Sequence, residues 1–216
     1  MTKQKYTLDL VEFYITNVCN LSCTNCNRFN NLKLKGFQKW DEYKDKYKIF
    51  AERLDIKRLS IIGGEPFLNA DIYNWIDGLI ELWPNGSTQI TTNGTRSYDK
   101  KLLDTLLKYK GKLWVDYECH DENYYNVFHN KIVEFLPNCN YKIFWDIEKW
   151  SSIYNTIRGA DWPSEPVDIT NENNWEWLQQ ELKEIGAELN SFQFRIEYYI
   201  DNVKYAHLAP AWYSTT

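Results

Sequence analysis

The apolar and polar positions of this chain alternate between two periods. Short apolar runs that end at turn residues are typical of strands, and the sequence predicts six of them, at 7–16, 58–62, 88–92, 113–119, 141–147 and 192–200. Apolar residues spaced three and four apart, as on one face of a helix, predict helices at 39–54, 72–83, 99–109, 124–136 and 175–185. One or two helical turns are expected at 151–157.

Strands that alternate with helices favour parallel pairing through right-handed crossovers. Eight such units close a TIM barrel of roughly 250 residues. Six units in 216 residues therefore predict an α/β fold, a partial (β/α)6 TIM-like barrel that is open, with a parallel sheet and outer helices. We expect a single domain over 1–216. Residues 201–216 are too few for another strand–helix unit and are expected to form an irregular C-terminal extension.

Composition and charge exclude several classes of protein. The hydrophobic fraction of 44% and charged fraction of 25% are ordinary for a globular domain. The net charge of −5, without a long run of like charges, does not support a nucleic-acid partner. The chain lacks the apolar run of a signal peptide or a membrane span. We therefore expect a cytoplasmic protein that does not associate with membranes.

Three of the five cysteines, Cys19, Cys23 and Cys26, lie within eight residues. In a reducing compartment this clustering favours metal ligation over disulfides. Three thiolates hold one face of an iron–sulfur cluster and leave one metal position open, although the spacing alone would also suit zinc. The distant Cys119 and Cys139 are expected to be free structural thiols.

The other polar motifs are predicted to lie beside the cysteine loop. The loop follows the first strand, Gly-Gly-Glu-Pro at 63–66 follows the second, and Asn93-Gly94 follows the third. Because ligands bind at the carboxyl ends of parallel strands, these three segments are expected to share one rim.

This ordered set resembles the radical S-adenosylmethionine (SAM) enzymes over residues 8–121. The resemblance implies that Cys19, Cys23 and Cys26 ligate one 4Fe-4S cluster and that SAM binds its fourth iron. It also implies cofactor-binding roles for the backbone after strand two, for the Thr-Thr-Asn-Gly segment that ends strand three, and for two acids on one face of strand four. These residues are Gly63, Gly64, Glu65, Pro66, Thr92, Asn93, Asp116 and Glu118.

The chain departs from the family pattern at one position inside the cysteine motif. The residue before the third cysteine is usually aromatic in the family and lies near the adenine, whereas here it is Asn25. Phe29, Phe13 and Tyr14 are candidates to replace that contact.

The resemblance implies an enzyme that takes an electron from a flavodoxin- or ferredoxin-type donor, cleaves SAM reductively and abstracts a hydrogen atom from a peptide or small molecule. Substrate often lies at the last two strands of such barrels, which here carry Trp145, Glu148, Arg195 and Glu197. Arg195 and Glu197 share a strand face, and a buried ion pair between them is expected.

Other functions stay open at this point. A 7-carboxy-7-deazaguanine synthase would suit the short chain, but Asn27-Arg28 replaces the usual Asp-Thr. A glycyl-radical-activating enzyme also needs only one cluster, and no second cluster is expected. A non-catalytic zinc or iron–sulfur module is the alternative outside enzymes. His120, at the end of strand four, is equally consistent with a ligand contact and with a strand-end cap.

Overall fold

The computed structural model of this chain describes residues 5–23, 26, 28, 32, 34–145, 167–184, 186 and 194–211. The strands in these ranges are β1 (Tyr6–Thr16), β2 (Leu54–Gly63), β3 (Ser87–Thr92), β4 (Leu113–Cys119), β5 (Asn140–Trp145), β6 (Val167–Asp168), β7 (Phe194–Ile200) and β8 (Val203–Pro210). The helices are α1 (Trp40–Ala51), α2 (Ile72–Leu82), α3 (Lys100–Lys108), α4 (Glu122–Phe135) and α5 (Glu172–Glu184). The turns expected at 151–157, residues 146–147 and 192–193 of two predicted strands, and the end of the last predicted helix at 185 lie outside these ranges.

The strands form one open sheet in the order β1-β2-β3-β4-β8-β7-β5-β6. β1, β2, β3, β4 and β8 are parallel, whereas β7, β5 and β6 are joined to the sheet by antiparallel pairs. The predicted α/β class and the open, largely parallel sheet are confirmed. The expectation of parallel pairing throughout is wrong for the fifth and sixth predicted strands, which are β5 and β7.

The expected irregular extension is also wrong, because residues 203–210 form β8 between β4 and β7. The physical reason is the turn that precedes β8. Asp201 and Asn202 have φ angles of 50° and 61° and form the two-residue loop of a hairpin. Two-residue hairpins favour such left-handed positions, and Asp and Asn tolerate them. The sequence analysis expected a helix between successive strands, so it did not predict a strand that follows β7 after a turn of only two residues.

Replacing Asn202 by glycine is expected to stabilise the protein by up to about 1 kcal/mol, because glycine adopts positive φ without a steric penalty. Thermal and chemical unfolding would measure this change. The matched control is Asn140→Gly in β5, whose residue is not in the left-handed region. That control is expected to destabilise the sheet, so shifts of the same sign in both variants would contradict the role of the turn.

The two faces of the sheet differ in polarity. Alternate residues of β1, such as Phe13 and Ile15, are buried, and Phe13 joins the main hydrophobic core with Trp75 and Leu79 of α2. The amphipathic helices therefore cover one face, which we call the outer face. Among the residues that the structure describes, no helix is long and apolar enough to cross a bilayer.

Polar side chains from neighbouring strands meet on the opposite, inner face. Gln89 Nε2 donates to Ser60 Oγ at 3.2 Å, and Thr91 Oγ1 donates to Asp116 Oδ2 at 3.2 Å. Contacts of this kind between side chains require that both residues point to the same face. The fold thus places a polar inner face below the rim where the parallel strands end.

Candidate active site

Two backbone hydrogen bonds join the cysteine loop to the segment that follows β2. Gly64 N donates to Thr16 O at 2.8 Å, and Glu65 N donates to Val18 O at 2.8 Å. A Cβ atom on Gly64 would lie 2.1 Å from Val18 O, and one on Gly63, whose φ is 148°, would lie 2.3 Å from Thr16 O. Both positions therefore need glycine so that the two backbones can approach each other.

Replacing Gly64 by alanine is expected to displace the cysteine loop, to lower stability by about 1–3 kcal/mol and to reduce iron binding. Iron content after anaerobic reconstitution and chemical denaturation would measure both effects. Gly186→Ala is the control, because its φ is also positive at 69° but no atom lies within 4 Å of the added Cβ. Equal loss of iron in both variants would contradict a specific role for the close approach.

The side chain of Glu65 is fully buried and connects the ends of β2 and β3. Its Oε1 accepts hydrogen bonds from Phe67 N at 3.0 Å and Thr92 Oγ1 at 2.8 Å, and its Oε2 accepts one from Asn93 N at 2.8 Å. Burial raises the pKa of the carboxyl, and these hydrogen bonds oppose that shift. Glu65 therefore positions the rim through its side chain, a role that the sequence motif alone did not indicate. Pro66 begins the buried 3-10 turn that follows.

The side chain of Asn93 connects the end of β3 to the cysteine loop through hydrogen bonds. Its Nδ2 donates to Asn20 Oδ1 at 3.0 Å and lies 3.7 Å from Cys19 Sγ. Its Oδ1 accepts a hydrogen bond from Thr95 Oγ1 at 2.6 Å, and Asn20 Nδ2 donates to the same hydroxyl at 2.8 Å. The rim predicted from the sequence is thus assembled by direct contacts among its members.

The donor set of the loop fits an iron–sulfur cluster. Cys19, Cys23 and Cys26 are not disulfide-bonded, and all three are partly buried. Burial raises the pKa values of Cys19 and Cys23, and the nearby Cys26 thiol adds to both shifts. Thiolates are the usual ligands of such clusters, and three of them leave one of four irons without a protein ligand. Within the described ranges, no three His, Cys, Asp or Glu side chains are placed to hold a single metal ion.

Asp116 and Glu118 share the inner face but differ in their surroundings. Asp116 is buried and bonded to Thr91 and to His207 Nε2, which lies 2.5 Å from Asp116 Oδ1. Burial alone would raise the Asp116 pKa, but His207 and the two hydrogen bonds hold it below its usual value. Burial and the Asp116 charge raise the pKa of Glu118 to about 7, although Arg28 opposes the shift. The sequence analysis missed His207, because it lies in the segment expected to be irregular.

A cavity of about 570 Å³ opens beside Cys23 at the ends of β3 and β4. Asn93 and His120 line it, together with the first two turns of α4. Burial and the nearby Arg28 lower the pKa of His120. The structure therefore places His120 at the rim, beside a space open to a ligand.

Two of the candidates for the missing aromatic contact with the adenine lie on opposite sides of β1. Phe13 packs into the outer core, with ring centroids 5.4 Å from Tyr47 and 5.9 Å from Trp83, so its assignment to the adenine is wrong. Tyr14 is 43% exposed on the other side of β1 and stays a prediction. Asn25 and Phe29 lie outside the described residues.

The two remaining cysteines are free thiols, as expected. Cys119 is buried, and its Sγ lies 3.1 Å from Asp121 O. Cys139 is half-buried beside the main core.

A loop with three cysteine thiols at the carboxyl rim of parallel strands is a donor set that suits a metal cluster in an α/β protein. The chain matches the family model described as the radical SAM superfamily over residues 13–141, and it belongs to that superfamily. Members of the superfamily use a 4Fe-4S cluster and SAM, and they need an electron donor and a substrate.

Similar proteins include three that are named as GTP 3',8-cyclases, two of them as probable ones. The Pyrococcus horikoshii protein is 30% identical over an alignment of 166 residues, with 66% of this chain and 52% of the relative covered. The Nautilia profundicola protein is 27% identical over 105 residues, which are 47% of this chain and 33% of the relative. The Pyrococcus abyssi protein is 28% identical, with 66% of this chain and 53% of the relative covered. The chain thus spans about half the length, or less, of the relatives it matches.

Solved structures with detectable similarity include BtrN in complex with AdoMet and 2-DOIA, which is 21% identical with a TM-score of 0.38 over 52% of this chain and 46% of that one. Streptococcus suis SuiB bound to precursor peptide SuiA is 18% identical, with a TM-score of 0.44 over 86% of this chain and 48% of that one.

Proposed function

We propose that this protein is a single-cluster radical SAM enzyme, in which Cys19, Cys23 and Cys26 hold one 4Fe-4S cluster at the rim. The observation that carries the proposal is the hydrogen-bonded assembly of the cysteine loop with the ends of β2 and β3. When bound, the cluster and SAM supply a 5′-deoxyadenosyl radical that removes a hydrogen atom from the substrate.

The residues of this chain bind and orient the cofactors in the proposed reaction. The three thiols provide the cluster ligands, and Glu65 with Asn93 fixes the loop that carries them. The backbone of 63–66 is proposed to receive the amino group of SAM, with Thr92 beside it. Glu118 is proposed to bind polar groups of SAM. Its carboxyl group makes no hydrogen bond among the described residues, and it lies close enough to Cys23 for an electrostatic interaction. Asp116 is already bonded to Thr91 and His207, so its proposed role is to orient this face.

Anaerobic reconstitution followed by iron, sulfide and zinc analysis tests the proposal, together with an assay for 5′-deoxyadenosine under a strong reductant. We expect close to four irons and four sulfides per chain and formation of 5′-deoxyadenosine from SAM. Zinc in place of iron, with no SAM binding by calorimetry, would favour the non-catalytic module instead. A cluster without SAM cleavage would also contradict the proposed activity.

The partners proposed are a flavodoxin- or ferredoxin-type electron donor and a peptide or small-molecule substrate. Comparing reduced flavodoxin, reduced ferredoxin and dithionite in the same 5′-deoxyadenosine assay would identify the donor class. Chemistry of the 7-carboxy-7-deazaguanine synthase and glycyl-radical-activating types stays a prediction.

GTP is a second candidate substrate, favoured by the printed activity of the three relatives. Incubation of the reconstituted protein with SAM, reductant and GTP tests it. Consumption of GTP with formation of 5′-deoxyadenosine would support this candidate. Cleavage of SAM with GTP left intact would reject it.

A further inference from the structure

We propose that Arg195, on the inner face of β7, binds an anionic oxygen group of the substrate, a phosphate or a carboxylate. This inference rests on the proposed function for the identity of its ligand as a substrate. The sequence analysis expected Arg195 only as one half of a buried ion pair with Glu197. The structure confirms the ion pair but shows it partly rather than fully buried, with the Nε of Arg195 unpartnered among the described residues.

Arg195 makes few contacts for a partly buried cation. One terminal nitrogen lies 3.4 Å from Glu197 Oε1, and the guanidinium carbon lies 5.3 Å from the centroid of the Phe144 ring. Its Nε is buried and has no hydrogen-bond partner among the residues that the structure describes. Buried charged donors are normally hydrogen-bonded, and arginine pairs best through two parallel bonds to carboxylate or phosphate. The Nε–H of Arg195 is therefore a donor that the described residues do not use.

The carboxylate that Arg195 contacts is shared with a second cation. Glu197 is approached by Arg195 and by Lys204, whose Nζ lies 3.6 Å from Glu197 Oε1, and the Tyr199 hydroxyl also donates to it. Burial would raise the Glu197 pKa, but these groups hold it below its usual value. Two cations, Arg195 and Lys204, thus share the single carboxylate of Glu197. Lys142, opposite Glu197 in the ladder, is paired with Asp168 at 3.3 Å.

A second unused polar nitrogen lies on the neighbouring strand. His207 is directly opposite Glu197 in the β7–β8 ladder. Its Nε2 is bonded to Asp116, whereas its buried Nδ1 has no hydrogen-bond partner within the described part of the chain. Leaving a buried polar group unpaired costs roughly 1–3 kcal/mol, so a ligand that supplies the missing partners gains affinity. Both side chains that carry unused nitrogens therefore flank the same carboxylate on the inner face.

The strand register places Arg195 nearer to the rim than Glu197 and His207 are, and the rim is where the cofactors are proposed to bind. His207 is level with Asp116, and Ala209 is level with Glu118 at the rim. Because β7 runs antiparallel to β8, continuing their ladder places Arg195 opposite Ala209. Between Glu118 and Arg195, Ala209 contributes only a methyl group. An anion held by Arg195 would thus orient the rest of the substrate toward Cys23 and the proposed cluster.

The test is calorimetric titration of the anaerobically reconstituted protein with sodium pyrophosphate, inorganic phosphate and sodium acetate at constant ionic strength. We expect at least one anion to bind with a millimolar or lower Kd. Arg195→Gln is expected to weaken binding about tenfold or more, because it removes a charge-assisted hydrogen bond. Arg195→Lys keeps the charge but loses the planar donor pair, so an intermediate Kd is expected. Lys142→Gln, on the same face but paired with Asp168, is the control and is expected to change the Kd less than twofold.

Each outcome supports or overturns the site. Binding of the phosphates alone assigns a phosphorylated substrate, binding of acetate alone assigns a carboxylate, and binding of both assigns the shared chemistry. Absence of anion binding, or equal Kd values for the wild type and Arg195→Gln, overturns the proposal. Circular dichroism and iron content exclude a folding defect, and Arg195→Lys provides the second variant. Cleavage of SAM by the wild type, measured in the same preparation, separates failure of this site from failure of the proposed function.

Discussion

Replacing Cys23 by serine is expected to abolish cluster binding and to lower 5′-deoxyadenosine formation more than about 100-fold. Losing an outer-sphere partner of a metal site typically costs 10–100-fold, so losing a ligand costs more. The serine hydroxyl does not ionise near neutral pH and is a poor ligand for iron, whereas thiolate is a soft, anionic donor. Iron and sulfide analysis, the absorbance of the reconstituted cluster and the SAM-cleavage assay measure the loss.

The matched control is Cys139→Ser, because Cys139 is also a free and partly buried thiol but lies beside the hydrophobic core. That variant is expected to keep the wild-type iron content. Equal iron in Cys23→Ser and the wild type would contradict the assignment of the loop as the cluster site. Equal loss in both variants would indicate a general effect of thiol removal.

Replacing Glu65 by alanine is expected to destabilise the protein by about 3–5 kcal/mol, the second large effect. The change leaves three buried donors without an acceptor, namely the backbone N–H groups of Phe67 and Asn93 and the Thr92 hydroxyl. Each unsatisfied buried donor costs roughly 1–3 kcal/mol. Chemical denaturation at constant pH measures the free energy of unfolding.

Two further variants define the origin of that effect. Glu65→Gln keeps one acceptor oxygen but presents an amide N–H to Asn93 N–H, so a smaller loss of about 1–3 kcal/mol is expected. Glu81→Ala, on the exposed face of α2, is the control and is expected to stay within about 0.5 kcal/mol of the wild type. A loss below about 1 kcal/mol in Glu65→Ala would show that the rim does not depend on this side chain.

The Gly-Gly-Glu-Pro motif at the rim was predicted for one reason, and its contacts in the structure give another. Sequence reasoning placed Gly63 and Gly64 next to a ligand, because glycine allows close approach. In the structure the close approach is to Thr16 at the end of β1 and to Val18 in the cysteine loop that follows it. Glu65 was predicted as part of a backbone motif, yet its side chain accepts three hydrogen bonds. Spacing identifies such residues but does not show which atoms they contact.

The C-terminal half of the fold was predicted less well, because its order is set by long-range pairing. β8 enters between β4 and β7, and its neighbours are remote from it in sequence except through the turn at Asp201 and Asn202. Local periodicity predicts that a segment is a strand but contains no information about its neighbours. For this reason His207 could not be placed opposite Asp116, nor Arg195 on the inner face beside Lys204.

The sequence by itself determined the α/β class, the first four strands, the cysteine loop and the family, because each rests on local spacing along the chain. Only the tertiary structure decided where β8 lies and which carboxylate His207 bonds. It also decided which polar nitrogens stay unpaired, since hydrogen bonds and charge balance depend on residues from distant segments meeting on one face. The proposed cluster site therefore follows from the order of residues, whereas the proposed anion site at Arg195 follows from the way the strands pair.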